Sequence, residues 1–524
     1  MRIIQCSTGG GFGGRLDITI QCLLALAAFH LKRGVKIIYS REEVFQATSK
    51  RHPLTIRYRS GAKQDGTLTA VEVDILGDTG AYASYGATVG IRSAVHATGP
   101  YYVPHVSVKS RMLYTNNPWA GAMRGFGVPQ MAFAHESQMD LLAQVLKIDP
   151  VEIRLKNALR IGSDTATGQT LTSSVGITET LRRVKEWREQ HIASKNHTER
   201  PYIKKGIGIG SMWYGIGNTG IANPSTAQIE IDPKGEVRLY TGVADIGHGS
   251  DTVLLQIASE SLGIPIKEIK LVRADTAMTT DAGATSASRQ TYISGNAVLN
   301  AIKDLNEKIL KEAGQLLGED QKELFVEDGE VKHIFKGCLS IPIREMAKRS
   351  GRILKGEGSY DPETTRLDST TGQGAPYATY AFATHLAEVE VDTETGKVNV
   401  NRVVASHDVG KAIHPNNVKG QIIGGVAMGT GFALMEEFIP GETTSFVNYL
   451  IPTSKDVPEV IPMIVEENEP TVPFGAKGVG EPALIPSAPA ILNAIADAIG
   501  VRIYSLPANL ERVLEAIQKS KKAV

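Results

Sequence analysis

Six glycine-rich segments, spread from one end of the chain to the other, constrain its fold more than any other feature. Glycine lets backbone amides approach a ligand closely, and amides at turns or helix starts bind phosphate groups without lysine. A tight turn explains any one segment, but several together suggest one large anionic cofactor. The segments are GGGFGGR (9–15), AMRGFGVPQ (122–130), GIGIGSMWYGIGNTG (206–220), GVADIGHGSDT (242–252), GATSASRQTYISGNAV (283–298) and GAKGVGEPA (475–483).

Strand-like and helix-like patterns alternate between these segments, which predicts an α+β (mixed α/β) fold class. Near the start, RIIQC reads as a strand, the stretch 17–34 as an apolar helix and VKIIYS as a second strand, which together predict a βαβ unit. A long helix is predicted from Val128 to about Lys147, with Asp149 capping another. The stretches AQIEIDPKGEVRLYTG and HLAEVEVDTETGKVNVNRVV each predict a hairpin.

The organisation of the chain follows from its length and from one polar stretch. At 524 residues with 42% apolar content, the chain can bury two or more domains. Between about Arg183 and Lys205 the sequence is charged and interrupted by Pro201, which is typical of an exposed linker. We therefore predict a first domain over 1–185, a linker over 186–205 and a second domain over 206–524.

Composition excludes several classes of protein. Lys plus Arg and Asp plus Glu both total 56, so no bulk charge attracts nucleic acid or an anionic membrane. Cys6, Cys22 and Cys338 are too few for a disulfide framework or an iron–sulfur cluster. No apolar run reaches the roughly 20 residues of a membrane span, and the first residues lack the pattern of a signal peptide. The expected location is the cytoplasm.

The first glycine segment also satisfies a dinucleotide-binding motif. Gly9, Gly11 and Gly14 fit GxGxxG between a predicted strand and a predicted helix. The acidic residue expected about 20 positions later is replaced by Ser40 and Arg41, which suit at best a 2′-phosphate. An NADP-binding protein built on residues 2–41 is therefore the least favoured hypothesis.

In order and spacing, the six segments resemble the molybdenum-binding subunit of the xanthine dehydrogenase and aldehyde oxidase family. The resemblance covers nearly the whole chain. It implies two elongated molybdopterin-binding domains of mixed sheets and helices, the first of them N-terminally incomplete, with the cofactor at their interface. It also implies molybdenum held through the pterin dithiolene rather than by a protein ligand. It further implies a pterin in its plain or its cytosine dinucleotide form, with 2Fe-2S and FAD groups on partner subunits.

The same resemblance implies which residues contact the cofactor. His248 stands where a glutamine is usual; it can still hydrogen-bond a pterin or phosphate oxygen, and a single histidine is no evidence of metal ligation. The implied cofactor contacts are Gly11, Phe12, Gly13, Arg124, Gly247, His248, Gly249, Ser286, Ser288, Gln421 and Gly480.

Three residues are implied to act on the substrate. Glu481 matches the family's glutamate beside molybdenum, a base for proton abstraction. Arg92 matches an arginine of purine-oxidising members that stabilises negative charge, although a surface salt bridge is the alternative. Phe126 matches a phenylalanine that stacks on flat substrates, unless it is a plain core residue. Trp213 or Tyr214 could help to hold the ring flat.

Two departures from the family pattern bear on the substrate. Leu16 occupies the place of a second active-site glutamate in xanthine-oxidising relatives, which disfavours xanthine itself. Gly125 and Phe126 stand where the carbon monoxide branch carries a cysteine, which disfavours that branch.

The leading hypothesis is a hydroxylase subunit that oxidises an electron-poor carbon of a purine-like or other N-heterocycle with water as oxygen source. Electrons pass to iron–sulfur and FAD partners. The alternatives are an aldehyde oxidoreductase subunit of the same family and a non-catalytic truncated remnant. Because relatives carry a preceding domain with a metal-adjacent glutamine, a separate polypeptide is a further expected partner. Nucleic acid and membrane are not expected partners.

Overall fold

A computed structural model describes residues 1–192 and 200–522. Helices and strands interleave in both parts of the chain, which confirms the predicted α+β class. The strands form four separate sheets in the described residues, three of them mixed parallel and antiparallel.

The first part of the chain contains one sheet and six helices. Strands β1, β2 and β3 pair in that order, antiparallel and then parallel, and α4 covers one face of the sheet. The elements are α1 (Gln21–Leu31), α2 (Arg41–Ala47), β1 (Leu54–Ala62), β2 (Leu68–Gly80), α3 (Gly86–Val95), β3 (His105–Tyr114), α4 (Val128–Leu146), α5 (Pro150–Asn157) and α6 (Ile177–His191).

The second part is built around a larger sheet with the order β14, β13, β12 and β4, covered by α11 on one face and α6 on the other. A smaller sheet, β11, β5, β6 and β7, packs on α8, and β8 to β10 form a third. The elements are β4 (Ile203–Gly215), β5 (Ser225–Ile231), β6 (Val237–Thr241), α7 (Ser250–Leu262), β7 (Ile269–Arg273), α8 (Gly295–Leu317), β8 (Leu324–Glu327), β9 (Glu330–His333), β10 (Ser340–Pro342), α9 (Ile343–Ser350), β11 (Leu354–Tyr360), β12 (Tyr380–Asp392), β13 (Val398–Asp408), α10 (Pro415–Leu434), β14 (Glu459–Val465), α11 (Ser487–Ile499) and α12 (Leu510–Lys522).

Local signals in the sequence predicted several of these elements correctly. Helix α4 begins after Gly127, carries Pro129 in its first turn and ends at Lys147, which confirms the predicted helix. The Asp149 carboxylate accepts from the Val151 and Glu152 amides and caps α5. Both predicted hairpins are present, as β5 with β6 and as β12 with β13.

The predicted βαβ unit at the start of the chain is wrong. Of RIIQC, only Ile4 forms a bridge, to Asp275, and VKIIYS forms no strand. Helix α1 exists but buries none of its residues, and Leu26 and Phe29 are more than half exposed. Apolar composition alone does not bring burial here, since none of the α1 residues is buried.

The first three glycines of the third segment lie in a strand and not in a loop, and they let a helix approach. Gly206, Gly208 and Gly210 alternate along β4, and a Cβ at Gly208 would lie 2.0 Å from the Ala494 amide nitrogen of α11. Glycine in a strand interior marks such a close backbone approach. The stretch 482–499, which contains α11, is apolar and long enough for a membrane span, but 78% of it is buried inside the protein. It is a core helix.

The predicted division of the chain can be compared only in part with the structure. Residues 186–191 of the predicted linker are the last turns of α6, and 193–199 lie outside the described residues. Leu181, Val184 and Trp187 of α6 share one apolar core with the β4 and β12 side chains. The two parts therefore bury surface against each other, and the domain bounds stay a prediction.

Candidate active site

All six glycine-rich segments meet at one cavity of about 380 Å³ between the two parts of the chain. Its lining includes, of the residues singled out from sequence, Gly11, Phe12, Gly13, Leu16, Arg92, Arg124, Phe126, Tyr214, Gly247, His248, Ser286, Ser288, Gln421, Gly480 and Glu481. Gly249 lies beside it as the N-cap of α7, with a left-handed φ of 86°. The structure thus gathers residues that are up to 470 positions apart in the chain.

Glu481 enters this cavity at the start of a short 3-10 turn, Pro482–Leu484. Its amide donates to the Ser288 hydroxyl at 3.0 Å, and its Oε2 atom is buried without a hydrogen-bond partner among the described residues. Burial raises the pKa of the Glu481 carboxyl, and Arg92, Arg124 and the Gly125 amide offset only part of that effect. A carboxylate in this setting is a good proton acceptor.

The loop that carries Glu481 is anchored by an ion pair behind the cavity. Lys477 donates from Nζ to Asp408 Oδ2 at 2.6 Å, and both side chains are fully buried. The Lys477 amide also donates to Val409 O at 2.8 Å. The end of β13 therefore holds this loop at both its backbone and its side chain.

Arg92 lies in the wall of the cavity, on α3, and only 2% of its surface is exposed. Its two Nη atoms donate to the Tyr214 hydroxyl and to Gly217 O, while Nε is buried and unpartnered. No carboxylate in residues 1–192 and 200–522 forms an ion pair with it within the 4.0 Å limit. The surface salt bridge considered from sequence is therefore wrong, and one donor remains free for a ligand.

Phe126 is presented to the cavity by an unusual backbone. Gly125, Phe126 and Gly127 all adopt left-handed φ values, of 88°, 52° and 94°. Phe126 is partly exposed, its ring centroid lies 5.8 Å from that of Tyr85 in an edge-on arrangement, and the Arg92 Cζ lies 5.6 Å from it. A left-handed aromatic residue is strained, so the surrounding fold must hold it in place. A plain core role is excluded.

Arg124 joins three of the segments. Its Nε donates to Gly480 O at 2.6 Å, its Nη2 reaches Gln421 O at 3.3 Å, and its amide donates to Phe12 O at 2.7 Å. Burial lowers the pKa of Arg124 to about 10. The first and second segments approach so closely here that position 13 requires glycine. A Cβ at Gly13 would lie 2.5 Å from Ala122 O.

His248 lies in the cavity wall with both ring nitrogens buried and without a hydrogen-bond partner. Its Nδ1 atom is 3.5 Å from Asp245 Oδ1. The proximity of His248, together with hydrogen bonds from the Gly247 and Asp251 amides, holds the pKa of Asp245 well below its usual range. Between Trp213 and Tyr214, only Tyr214 faces the cavity. Trp213 stacks on Tyr380 in the core, with ring centroids 4.7 Å apart.

Several residues that line the cavity were not predicted from the sequence. Tyr85 and Thr88 precede Arg92 by seven and four positions, which is the spacing of one helical face and could have revealed them once Arg92 was chosen. Asn218, Thr219 and Arg289 carried no comparable signal.

The cavity fits a large polar cofactor by its own chemistry. Buried polar atoms on its wall that lack a partner include Arg92 Nε and His248 Nε2. Buried polar groups rarely stay unpaired, so their partner is expected to be a ligand. Glycine turns, arginines and one unpaired carboxylate around a single cavity between two α+β parts define a cofactor-dependent enzyme with an acid–base residue.

Comparison with known proteins identifies the cofactor. Residues 1–158 and 180–458 each match a family model described as a molybdopterin cofactor-binding domain. The chain is 34% identical over 530 residues to the xanthine dehydrogenase molybdenum-binding subunit of Escherichia coli O157:H7, covering 98% of this chain and 69% of that protein. It is 54% identical over 186 residues to the nicotinate dehydrogenase large molybdopterin subunit of Eubacterium barkeri, covering 36% of this chain and 44% of that one.

Among solved structures, the aldehyde oxidoreductase of Desulfovibrio desulfuricans superposes with a TM-score of 0.89 at 31% identity, over 98% of this chain and 54% of that one. The chain belongs to the xanthine dehydrogenase and aldehyde oxidoreductase family of molybdopterin-binding proteins, and it is a molybdenum-dependent oxidoreductase.

Proposed function

We propose that this chain hydroxylates an electron-poor carbon of an N-heterocycle, with water as the oxygen source. The observation that carries the proposal is the arrangement of Arg92, Phe126 and Glu481 around one cavity, with Arg92 Nε and Glu481 Oε2 both buried and unpartnered. A flat ring on Phe126 would place a ring nitrogen or an acidic substituent toward Arg92, and the reacting carbon toward Glu481.

The residues proposed to hold the molybdopterin lie on the wall of this cavity or beside it. Arg124 and Gln421 offer polar groups, and His248 offers its buried Nε2 atom, which has no hydrogen-bond partner in the described residues. We propose the following contacts: Gly11, Phe12, Gly13, Arg124, Gly247, His248, Gly249, Ser286, Ser288, Gln421 and Gly480. When bound, the molybdenum cofactor supplies the two-electron oxidation.

The chain's own residues supply binding and proton transfer. Glu481 accepts a proton at Oε2 from the water-derived nucleophile, which its raised pKa favours. Arg92 donates from Nε to negative charge that develops on the ring during attack. Phe126 and Tyr214 restrict the ring to one plane.

One comparison supports a pyridine carboxylate as the heterocyclic substrate. The match to the nicotinate dehydrogenase subunit is 54% identical over 186 residues. The match to the xanthine dehydrogenase subunit is 34% identical over 530 residues. A pyridine carboxylate fits a pocket with a buried arginine, because a guanidinium recognises a carboxylate geometrically. Leu16 in the wall offers an apolar contact where purine oxygens would need a polar one.

An aldehyde is the second candidate substrate. It is favoured by the structural likeness to an aldehyde oxidoreductase over 98% of this chain. An aldehyde needs no buried cation beside its reacting carbon, so Arg92 would contribute little to its turnover.

The partners follow from what the described chain contains. Cys6, Cys22 and Cys338 are exposed and free, so no four-thiolate cluster exists in the described residues. We propose that an iron–sulfur subunit and an FAD subunit receive the electrons. The pterin is proposed in its plain or its cytosine dinucleotide form.

A further polypeptide segment is proposed to cover the first 40 residues, either from the same protein or from a separate subunit. A concentration of exposed large apolar side chains marks a protein interface. Those more than half exposed are Met1, Ile3, Ile4, Ile18, Leu23, Leu26, Phe29, Leu31 and Ile38.

The test is a substrate panel on the co-purified complex, with heterocycles including nicotinate and purines and with aldehydes, in water enriched in ¹⁸O. We expect heterocycle turnover with ¹⁸O in the product, and a loss of about 10²-fold in Arg92→Met. The exposed Arg57 provides a matched control, Arg57→Met, with unchanged turnover. Aldehyde turnover that survives Arg92→Met, with no heterocycle oxidised, would favour the second candidate. Protein lacking molybdenum and pterin would favour a non-catalytic remnant.

A further inference from the structure

Arg289 is one of the largest fully buried side chains in the described residues, with 1% of its surface exposed. Its guanidinium donates to four backbone carbonyls in two different loops. Two are Ala282 O at 2.5 Å and Ala284 O at 3.2 Å, and two are Asn223 O at 2.9 Å and Pro224 O at 2.6 Å. A single side chain therefore ties these loops together.

The first of these loops, residues 282–288, supports Glu481. Ala287 and Ser288 adopt left-handed φ values of 52° and 54°, a conformation that non-glycine residues hold only under constraint. The Ser288 hydroxyl accepts from the Glu481 amide at 3.0 Å. A displacement of this loop would therefore displace the backbone of Glu481.

The second loop, residues 217–224, forms another part of the cavity wall. Gly217 O accepts from Arg92, and Asn218 and Ile221 line the cavity. The two loops also meet directly, where the Gly217 amide donates to Ala287 O at 3.0 Å. Their spacing sets the distance between the wall that receives a ligand and the loop beneath Glu481.

The chemistry of the clamp requires a guanidinium. Arginine offers five N–H donors in one rigid plane, so it can reach carbonyls on two sides at once, whereas a lysine ammonium is a point donor on a flexible stem. Burial lowers the pKa of Arg289 to about 10, and the carboxylates of Asp281 and Asp361 offset part of that effect. A buried cation whose hydrogen-bond partners are carbonyls is costly, and it persists only where those bonds are well formed.

We propose that Arg289 is a positioning residue that fixes the 282–288 loop and the 217–224 wall at one spacing, and thereby aligns Glu481 with a ligand bound on Arg92. The role in alignment rests on the proposed function. The clamp itself rests only on the four carbonyl contacts.

The experiment is hydrogen–deuterium exchange of the cofactor-loaded complex, compared between wild type and Arg289→Met. The reporters are the amides of Gly217, Asn223, Gly283 and Glu481. Each donates a hydrogen bond, and together they cover the three coupled segments. We expect exchange to accelerate about tenfold or more in peptides from 217–224, 282–288 and 478–481 together, because local opening exposes these amides. Arg289→Lys should give an intermediate acceleration, and it provides the measurement if the methionine variant does not fold.

Arg344→Met is the matched control. Arg344 also donates to a backbone carbonyl, Gly235 O at 2.6 Å, but it is partly exposed and remote from the cavity lining. Its loss should leave exchange in the three peptides unchanged. Acceleration in only one loop of the Arg289 variants, or in neither, overturns the clamp.

Turnover then tests the alignment separately. With any substrate that the wild-type complex oxidises, Arg289→Met should lower kcat about 10-fold to 100-fold at unchanged molybdenum content, because small misplacements of reacting groups are expensive. Added guanidinium should restore part of kcat. Accelerated exchange with wild-type kcat overturns the alignment role alone, whereas a wild-type complex that oxidises no heterocycle contradicts the proposed function and leaves the exchange result standing.

Discussion

The Arg92 guanidinium donates to the Tyr214 hydroxyl, and its Cζ lies 4.8 Å from the centroid of that ring. Arg92 lies on α3 and Tyr214 on β4, so this contact joins the two parts of the chain at the cavity. It also orients the guanidinium, because Gly217 O holds the second Nη atom.

Tyr214→Phe should therefore weaken substrate binding while leaving the fold intact. Loss of the hydroxyl leaves a buried N–H of Arg92 unpaired, which costs about 1–3 kcal/mol. We expect kcat/KM for the heterocycle to fall about tenfold, mainly through KM, as measured by steady-state kinetics. Tyr504→Phe, at a 73% exposed tyrosine, is the control. A fall of equal size in both variants would argue against this role.

Glu481→Gln should lower kcat by about 10²-fold to 10⁴-fold, because the amide cannot accept a proton. Molybdenum content should stay unchanged, which separates loss of the base from loss of the cofactor. A variant that retains more than a tenth of wild-type kcat would contradict the assignment.

The pH dependence of kcat should follow the Glu481 carboxyl. Since only the carboxylate accepts a proton and burial raises its pKa, kcat should fall with falling pH, with an acid limb above the ordinary value of 4.5. Arg92 favours the charged form, so Arg92→Met should move that limb to higher pH. A shift to lower pH would contradict the arrangement.

Breaking the buried pair of Lys477 and Asp408 should be severely destabilising. Lys477→Met leaves the Asp408 carboxylate buried and unpaired, at a cost of about 3–5 kcal/mol in the free energy of unfolding. The double variant Lys477→Met with Asp408→Leu should recover part of this loss, as measured by denaturant unfolding. A double variant that is less stable than the single one would show that the ion pair is not the main source of the effect.

A second buried pair should make the protein sensitive to acid. Arg154 donates to Glu136 at 2.8 Å, and although burial opposes it, this cation, with hydrogen bonds from neighbours, lowers the Glu136 pKa to about 2 from 4.5. Because the folded-state pKa is depressed, the stabilisation is present above pH 4.5 and is lost as the pH falls toward 2. Glu136→Gln should flatten that part of the stability curve measured by chemical unfolding. An unchanged pH dependence would contradict the prediction.

The exposed face of α1 should govern assembly. The triple variant Leu23→Ser, Leu26→Ser and Phe29→Ser replaces apolar side chains that are each more than half exposed. We therefore expect unchanged unfolding but reduced co-purification with the proposed covering polypeptide. Pull-down from cells that express the complex measures this. Ser substitution of the exposed Val145 on α4 is the control. If the triple variant retains its partners fully, the proposed interface is contradicted.

Sequence predicted those features that depend on local chemistry. The start of α4 follows from Gly127 and Pro129, and the start of α5 from Asp149, because caps act within one turn. The gathering of the glycine segments also followed, because the resemblance placed them around one cofactor. In the structure, Glu481, Arg92 and Phe126 all line one cavity.

Other features depended on neighbours in space. Trp213 and Tyr214 are adjacent in β4, and adjacent strand residues face opposite sides, so sequence alone could not tell which one faces the cavity. The apolar stretch 17–34 has the composition of a buried helix, yet α1 is exposed, because burial requires a second surface. Arg289 lies within the fifth glycine-rich segment, but no motif there marks it as a residue that joins two loops.

The alternating glycines of β4 have a consequence for how this enzyme can vary. Helix α11 rests on Gly206, Gly208 and Gly210, and it begins six residues after Glu481. Gaining one methyl group at Gly208 would push that helix outward and carry the turn at Glu481 with it. A substitution at a position that contacts no ligand would thus lower catalytic activity. We therefore expect the β4 glycines to tolerate alanine less well than residues of the cavity wall do.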